Sequence, residues 1–231
     1  MVPGFLVIAI DGPAGAGKST VAQGLARRLG LSYVDSGASY RAAAILALEN
    51  GIKPDDESAV AQALNRAEIQ FSGDGEHPRV WLNGREVTAE IRSPEVTLAA
   101  SRVARLPAVR EKLIALQRSL AASRGVVMEG RDIGTVVFPN ASLKIFLDAD
   151  PRERARRRLA QNRQEDAAAT LEQTANEIQW RDQLDAQRKI SPLVTAPDAY
   201  RIDSTGLTAE QVVERILALA REKKLVNDEV P

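Results

Sequence analysis

Apolar positions along the chain follow two alternating rhythms. Short runs at residues 5–10, 31–34, 126–128, 144–147 and 200–203 read as strands, those at 5–10, which is rich in β-branched residues, and 126–128 as buried ones. Between them the period changes to three or four. Val21, Leu25 and Leu29 line one face of a helix over 20–29 that Gly30 stops. An Ala/Leu-rich helix over 39–50 ends at Gly51, and Pro107 opens a helix whose apolar face is Val109, Leu113, Leu116 and Leu120, ended by Gly125. Further helices are expected from about 150, over 170–189, and over 208–223, the last being amphipathic. Strand–helix alternation of this kind predicts an α/β fold, a core of about five parallel strands flanked by helices.

The alternation breaks between residues 53 and 105. A polar helix over about 54–66 is followed by short strands at 69–71, 79–82 and 85–87, with Asn83-Gly84 as a hairpin turn between the last two. Ser101 and Arg102 then lead up to the Pro107 helix. A piece of about fifty residues buries too little core to stand alone, so it reads as a small antiparallel insertion. The expected organisation is one domain, 1–231. Its core is 1–52, 106–149 and 166–231, with an inserted lobe at about 53–105 and a helical lid at about 150–165. There is no internal repeat, and 227–231 reads as a frayed tail.

The first strand runs into Asp11 and then Gly12-Pro13-Ala14-Gly15-Ala16-Gly17-Lys18-Ser19, followed by Thr20 and the first helix. This is G-x-x-x-x-G-K-[ST] between a strand and a helix, the context that makes the motif credible as a P-loop. Glycines let successive N–H groups converge on one anion, and the helix N-terminus adds partial positive charge. Lys18 is expected on the β- and γ-phosphates of a nucleoside triphosphate, and the Ser19 hydroxyl on Mg2+.

Other candidate groups collect where ligands bind open α/β sheets, beyond the C-terminal ends of the strands. DSGASYR (35–41) follows the second strand; Asp35 or Ser36 would cap the next helix, but Arg41 then falls in its first turn, where the dipole disfavours a cation. Arg110 raises the same question in the first turn of the Pro107 helix. Arg131 and Asp132 follow the strand at 126–128, and Lys-Ile-Phe-Leu-Asp ending at Asp148 imitates a Walker B strand weakly. Asp150 and Glu153 look like a capping box. The helix they open carries Arg152, Arg154, Arg156, Arg157, Arg158 and Arg163, with Glu153 the acid available to balance the first five. Uncompensated charge beside a triphosphate site points to a phosphate-binding lid rather than a solvated face. Arg181, Asp185 and Arg188 share one face of the helix that Ser191-Pro192 closes.

Composition narrows the chemistry. With 44% hydrophobic and 27% charged residues this is a globular chain, and without cysteine it has no disulfide, thiolate metal site or cysteine nucleophile. The single His77 lies in a polar loop. Acidic and basic residues balance at 31 each, which argues against bulk nucleic-acid binding. No apolar run suits a membrane span and no signal segment opens the chain, which favours the cytoplasm; a monomer acting on small molecules, with no nucleic-acid or membrane partner, is expected.

Taken together, IDGPAGAGKST, DSGASYR, GRDIGTVVFPNA, KIFLDA, the Arg181/Asp185/Arg188 set with Ser191-Pro192-Leu193, and IDST near the end resemble the bacterial cytidylate kinases, in that family's order and over nearly the whole chain. The resemblance implies a P-loop fold with the inserted lobe, ATP and CMP or dCMP as substrates, and Mg2+. It implies that residues Gly12, Pro13, Ala14, Gly15, Ala16, Gly17, Lys18, Ser19 and Thr20 hold ATP with Arg154 and Arg158, and that Lys18, Arg131 and Arg158 act on the transferred group. Arg41 and Arg131 would clamp the acceptor phosphate. Asp185 would hold the ribose with Arg181 and Arg188 near it, Ser36, Ser101, Arg110 and Asp132 would read the cytosine edge, and Tyr40 would also contact CMP. Family members often carry Ser where Ala14 stands, so this loop lacks a hydroxyl that could touch the acceptor phosphate. Two other readings stay open on the residues alone: another small-molecule kinase, and a nucleic-acid-stimulated ATPase or GTP-driven switch, although no N-K-x-D guanine signature is present.

Overall fold

The structure is a computed structural model that describes residues 5–73, 77–121, 125–162, 169–188 and 190–227. Arg163, Lys189, the last three positions of the expected lid segment and residues 228–231 of the expected tail lie outside the described residues.

In chain order the elements are β1 (Val7–Asp11), α1 (Lys18–Leu29), β2 (Ser32–Asp35), α2 (Ser36–Glu49), α3 (Glu57–Leu64), β3 (Ile69–Ser72), β4 (Arg79–Leu82), β5 (Arg85–Glu86), α4 (Pro94–Val103), α5 (Pro107–Leu120), β6 (Val126–Gly130), β7 (Leu143–Asp148), α6 (Pro151–Asn162), α7 (Leu171–Ala186), β8 (Tyr200–Asp203) and α8 (Ala209–Glu222). Five strands make one parallel sheet in the order β2-β6-β1-β7-β8. The P-loop strand β1 is central and buried at every position, as expected where helices cover both faces. Its alternate residues divide between two cores: Ile8 and Ile10 pack with α1 and α8, Val7 and Ala9 with Val34, Met128 and Ile133. Ile10 has no exposed surface; truncating such a side chain to Ala typically costs ~2–5 kcal/mol.

The strands β3, β4 and β5 form a separate antiparallel sheet with Asn83-Gly84 at the hairpin. This insertion has no core of its own. Val60, Ile69, Val80, Leu82, Val87 and Val96 share one cluster with Tyr40 and Ile45 of α2 and Val109 and Leu113 of α5.

Several helix boundaries differ from the sequence expectation for identifiable reasons. The helix expected at 39 begins at Ser36, which moves Arg41 into its second turn. The one expected at 54 begins at Glu57, because the Asp56 carboxylate caps it by accepting from Ala59 N–H at 3.0 Å. Ser101 and Arg102 precede the Pro107 helix as expected, but they themselves lie inside another helix, α4, which pattern reading missed. The signals for α4 are present: Ser93 accepts from Val96 N–H at 3.3 Å, Pro94 opens the first turn, and Val96, Ala99, Ala100 and Val103 are buried at helical spacing.

Candidate active site

The loop after β1 is shaped by close approach. Gly12, Gly15 and Gly17 have φ of 151°, 76° and 90°, a region where L side chains are strained. A Cβ on Gly15 would also lie 2.7 Å from the carbonyl oxygen of Arg154. Ser19 and Thr20 are exposed in the first turn of α1. Lys18 is buried and its Nζ donates to the Pro13 carbonyl at 2.7 Å. Burial, reinforced by the nearby Arg131, lowers its pKa to about 7.

Two carboxylates beside the loop were not singled out in the sequence. Asp11, the last residue of β1, accepts from the N–H groups of Ile133 at 2.8 Å and Gly134 at 2.7 Å. Burial nevertheless raises its pKa to about 6. It thereby anchors the π-helical turn Ile133–Val137 that follows Arg131 and Asp132. Glu129 on β6 accepts from the Tyr33 hydroxyl at 2.7 Å, and burial, then Asp35, push its pKa up. Both sit at C-terminal strand edges, the one sequence signal that could have found them. Asp148, the Walker B imitation, accepts from its neighbour Ala149 N–H at 2.8 Å.

On the β2–β6 side the structure gathers candidates from β2, α2, α5, the turn after β6 and α7, with Arg188 just past the end of α7 and not on the helix face expected for it. Arg41 pairs with Asp35, so the anion that its place in the sequence called for is supplied by the chain itself. Asp35 occupies the cap position without capping through its side chain; although burial acts upward, Arg41 holds its pKa below the usual carboxylate range. Arg110 pairs with Asp132, donates to the Ala104 carbonyl at 3.1 Å and lies 5.3 Å from the Tyr40 ring centroid. Arg131 donates from Nε to Asp185 at 2.7 Å, and Arg188 pairs with the other oxygen of that carboxylate. Burial acts upward on Asp185, but Arg131 and Arg188 outweigh it and its pKa falls. Arg181 has no carboxylate within ion-pairing distance among the described residues; burial, then Arg131 and Arg158, lower its pKa to about 10. Ser36 is buried, and Gln117 of α5 fixes its surroundings by donating to Ser39 Oγ at 2.9 Å. Ser101 donates to the Thr97 carbonyl at 3.2 Å.

Five guanidiniums, of Arg41, Arg110, Arg131, Arg181 and Arg188, thus stand against the carboxylates of Asp35, Asp132 and Asp185. The Nε atoms of Arg41, Arg110 and Arg188 are buried without a hydrogen-bond partner. Excess cationic donors in a fixed arrangement suit a phosphate monoester.

The arginine helix α6 is less uncompensated than its sequence suggests. Asp150 accepts from Arg152 N–H at 2.8 Å, but Glu153 does not complete a capping box; it pairs with Arg156 and Arg157, each at 3.0 Å. Arg154 finds its counter-ion on α7, in Asp182, which local sequence could not reveal. It also donates to the Ala149 and Ala14 carbonyls at 3.2 and 3.1 Å, so in this state it braces the P-loop backbone where a contact to ATP was expected. Arg157 reaches the carbonyl of Ala16 at 3.4 Å and the hydroxyl and carbonyl of Ser204 at 2.9 and 2.8 Å. Arg158, near Arg181, donates to Gln161 at 3.3 Å. Among the described residues no helix is long and apolar enough to cross a membrane.

A sequence model of the family described as "Cytidylate kinase" matches residues 8–222. A cytidylate kinase of Geobacillus sp. (strain WCH70) is 49% identical over 216 residues, covering 94% of this chain and 96% of its own. One from Pelotomaculum thermopropionicum is 50% identical over 215 residues, covering 93% and 95%. Among solved structures, an uncharacterized protein from Eubacterium ventriosum shares the fold with a TM-score of 0.51 at 11% identity, over 93% of this chain and 97% of that one.

Proposed function

The chain belongs to the cytidylate kinase family, and on that premise we propose that it transfers the γ-phosphoryl group of ATP to CMP or dCMP, giving CDP or dCDP and ADP. One observation carries the reading: the P-loop and a cluster with more guanidiniums than paired carboxylates lie at the same edge of one sheet. In-line transfer needs no side-chain nucleophile, because positioning and charge stabilisation supply the catalysis. An acceptor phosphate oxygen attacks Pγ while the bond from Pγ to the bridging oxygen of ADP breaks.

In this reading residues 12–20 hold the triphosphate, and the Lys18 ammonium stabilises charge on the phosphoryl group in flight. Arg41 and Arg131 clamp the acceptor phosphate, which must compete with Asp35 and Asp185 for them. Asp185, Arg181 and Arg188 surround the ribose. Ser36, Tyr40, Ser101, Arg110 and Asp132 surround the base. Cytosine presents an amino donor at N4 beside an acceptor at N3, and uracil reverses that polarity, so a carboxylate and a guanidinium placed together favour cytosine.

Mg2+ fits the oxygen donors present, the Ser19 hydroxyl with the Glu129 carboxylate facing it. Bound there, it would neutralise charge on the β- and γ-phosphates. The lobe at about 53–105 closes over the monophosphate, and α6 brings Arg158 over the phosphates as a lid that excludes water. The core for these movements is 1–52, 106–149 and 166–231, and the enzyme acts as a monomer in the cytoplasm. ADP release measured against a panel of nucleoside monophosphates tests the proposal. Turnover should require CMP or dCMP; turnover with no monophosphate, or stimulation by DNA or RNA instead, would overturn it.

A further inference from the structure

The reaction as described assigns nothing to Asp182, yet this side chain joins the two substrate sites. Its Oδ1 accepts from the Ala14 N–H at 3.0 Å, and its Oδ2 pairs with Arg154. Arg154 in turn donates to the carbonyl of the same residue, Ala14, at 3.1 Å. One residue of the P-loop is therefore held at both its backbone donor and its backbone acceptor. The Ala14 methyl completes the grip by packing with Ala155 of α6 and Ala175 and Ile178 of α7; a hydroxyl in its place would need a partner there.

The helix that supplies Asp182 also supplies Arg181 and Asp185 to the acceptor pocket. Helix α7 is a stiff lever, opened by a full capping box between Thr170 and Gln173. A phosphate entering the pocket competes with Asp185 for Arg131 and brings its own charge to Arg181. Either interaction acts on α7, and Asp182 and Ala14 carry that action to the P-loop.

We propose that Asp182 is a positioning residue that couples the acceptor pocket to the ATP site, so that a bound monophosphate holds the P-loop in its triphosphate-binding shape. The inference rests on the kinase reading above, and the coupling is reciprocal by linkage.

The test is calorimetric titration of the full chain with a non-hydrolysable ATP analogue and Mg2+, with and without saturating CMP. In the wild type CMP should tighten analogue binding by roughly 5- to 150-fold, the usual range of such couplings. Asp182→Ala should bring that ratio close to one while leaving the affinity for CMP alone unchanged. Asp182→Asn keeps an oxygen facing Ala14 but removes the partner charge of Arg154, and should also lower the ratio; it serves if the alanine variant does not fold, as judged by thermal melting. A merely structural role would lower the melting temperature or kcat without moving the ratio. Wild-type coupling retained in a folded Asp182 variant, or no coupling in the wild type, would overturn the proposal. Failure of CMP to bind at all would instead count against the kinase reading.

Discussion

Arg110 and Asp132, 22 residues apart in the chain, form an ion pair with 2% and 7% of their side chains exposed. Each was anomalous alone: a cation in the first turn of α5, and an acid just beyond β6. Together they neutralise one another and leave the Arg110 Nε buried without a hydrogen-bond partner. Burying both charges is costly, and removing one partner typically destabilises by ~3–5 kcal/mol. A pair kept at that expense suits recognition better than stability.

The first prediction therefore uses Asp132→Asn, which preserves shape and spares Arg110 the full loss of a polar partner. If Asp132 accepts from the N4 amino group, kcat/KM should fall mainly for CMP. A charge-assisted hydrogen bond contributes ~1.5–3 kcal/mol, so the CMP/UMP preference should drop by roughly ten- to a hundredfold. Steady-state kinetics on both substrates decide the matter. Equal losses on the two would mean that Asp132 holds Arg110 and does not read the base.

Lys18→Ala should lower kcat by about a hundredfold or more, because the charge removed acts on the transferred group. The fold should persist. A buried lysine whose pKa has dropped to about 7 contributes no favourable charge to the empty protein, so the melting temperature should not fall. Undiminished kcat would remove Lys18 from the mechanism.

The five parallel strands and the P-loop were legible because both are local: a continuous apolar run marks a buried parallel strand, and the glycine spacing marks the loop. Helix α4 was missed where short antiparallel strands had already set the expected pattern, although Ser93-Pro94 announced it. Candidate site residues were legible as charges beyond strand ends or out of place in helices, but their partners were not. Arg41 looked as though it needed a ligand and has Asp35 six residues away; Arg154 looked uncompensated and has Asp182 on another helix. Pairing across the fold depends on how α6 packs against α7, which no short window of sequence contains. Asp11 and Glu129 escaped for the opposite reason, since an acid closing a strand is common and only burial makes it unusual.

Helix α6 carries the lid hypothesis. Its arginines already grip the P-loop carbonyls of Ala14 and Ala16, so closure should tighten existing contacts. Amide hydrogen exchange across residues 151–162 should slow when the ATP analogue and CMP are bound together, and less with either alone. Exchange that is the same in all four states would mean that this helix does not close.

The last prediction concerns protons. In the empty protein burial, then Arg131, bring the Lys18 pKa down to about 7, so above that pH the amine is mostly neutral. Bound triphosphate places negative charge against it and favours the ammonium form, raising the pKa again. The sign follows by linkage: where the complex holds a proton that the free protein lacks, binding takes one up, and affinity falls as pH rises. Well below pH 7 the lysine is charged in both states and the effect vanishes. Calorimetric binding of the ATP analogue at about pH 8, in buffers of different ionisation enthalpy, should therefore show uptake approaching one proton per site. Lys18→Ala or Lys18→Met should abolish it, which separates this proton from those of the nucleotide. Uptake that is unchanged in these variants would place the titrating group elsewhere, and Asp11, with its pKa raised to about 6, would take up protons only in a more acid range.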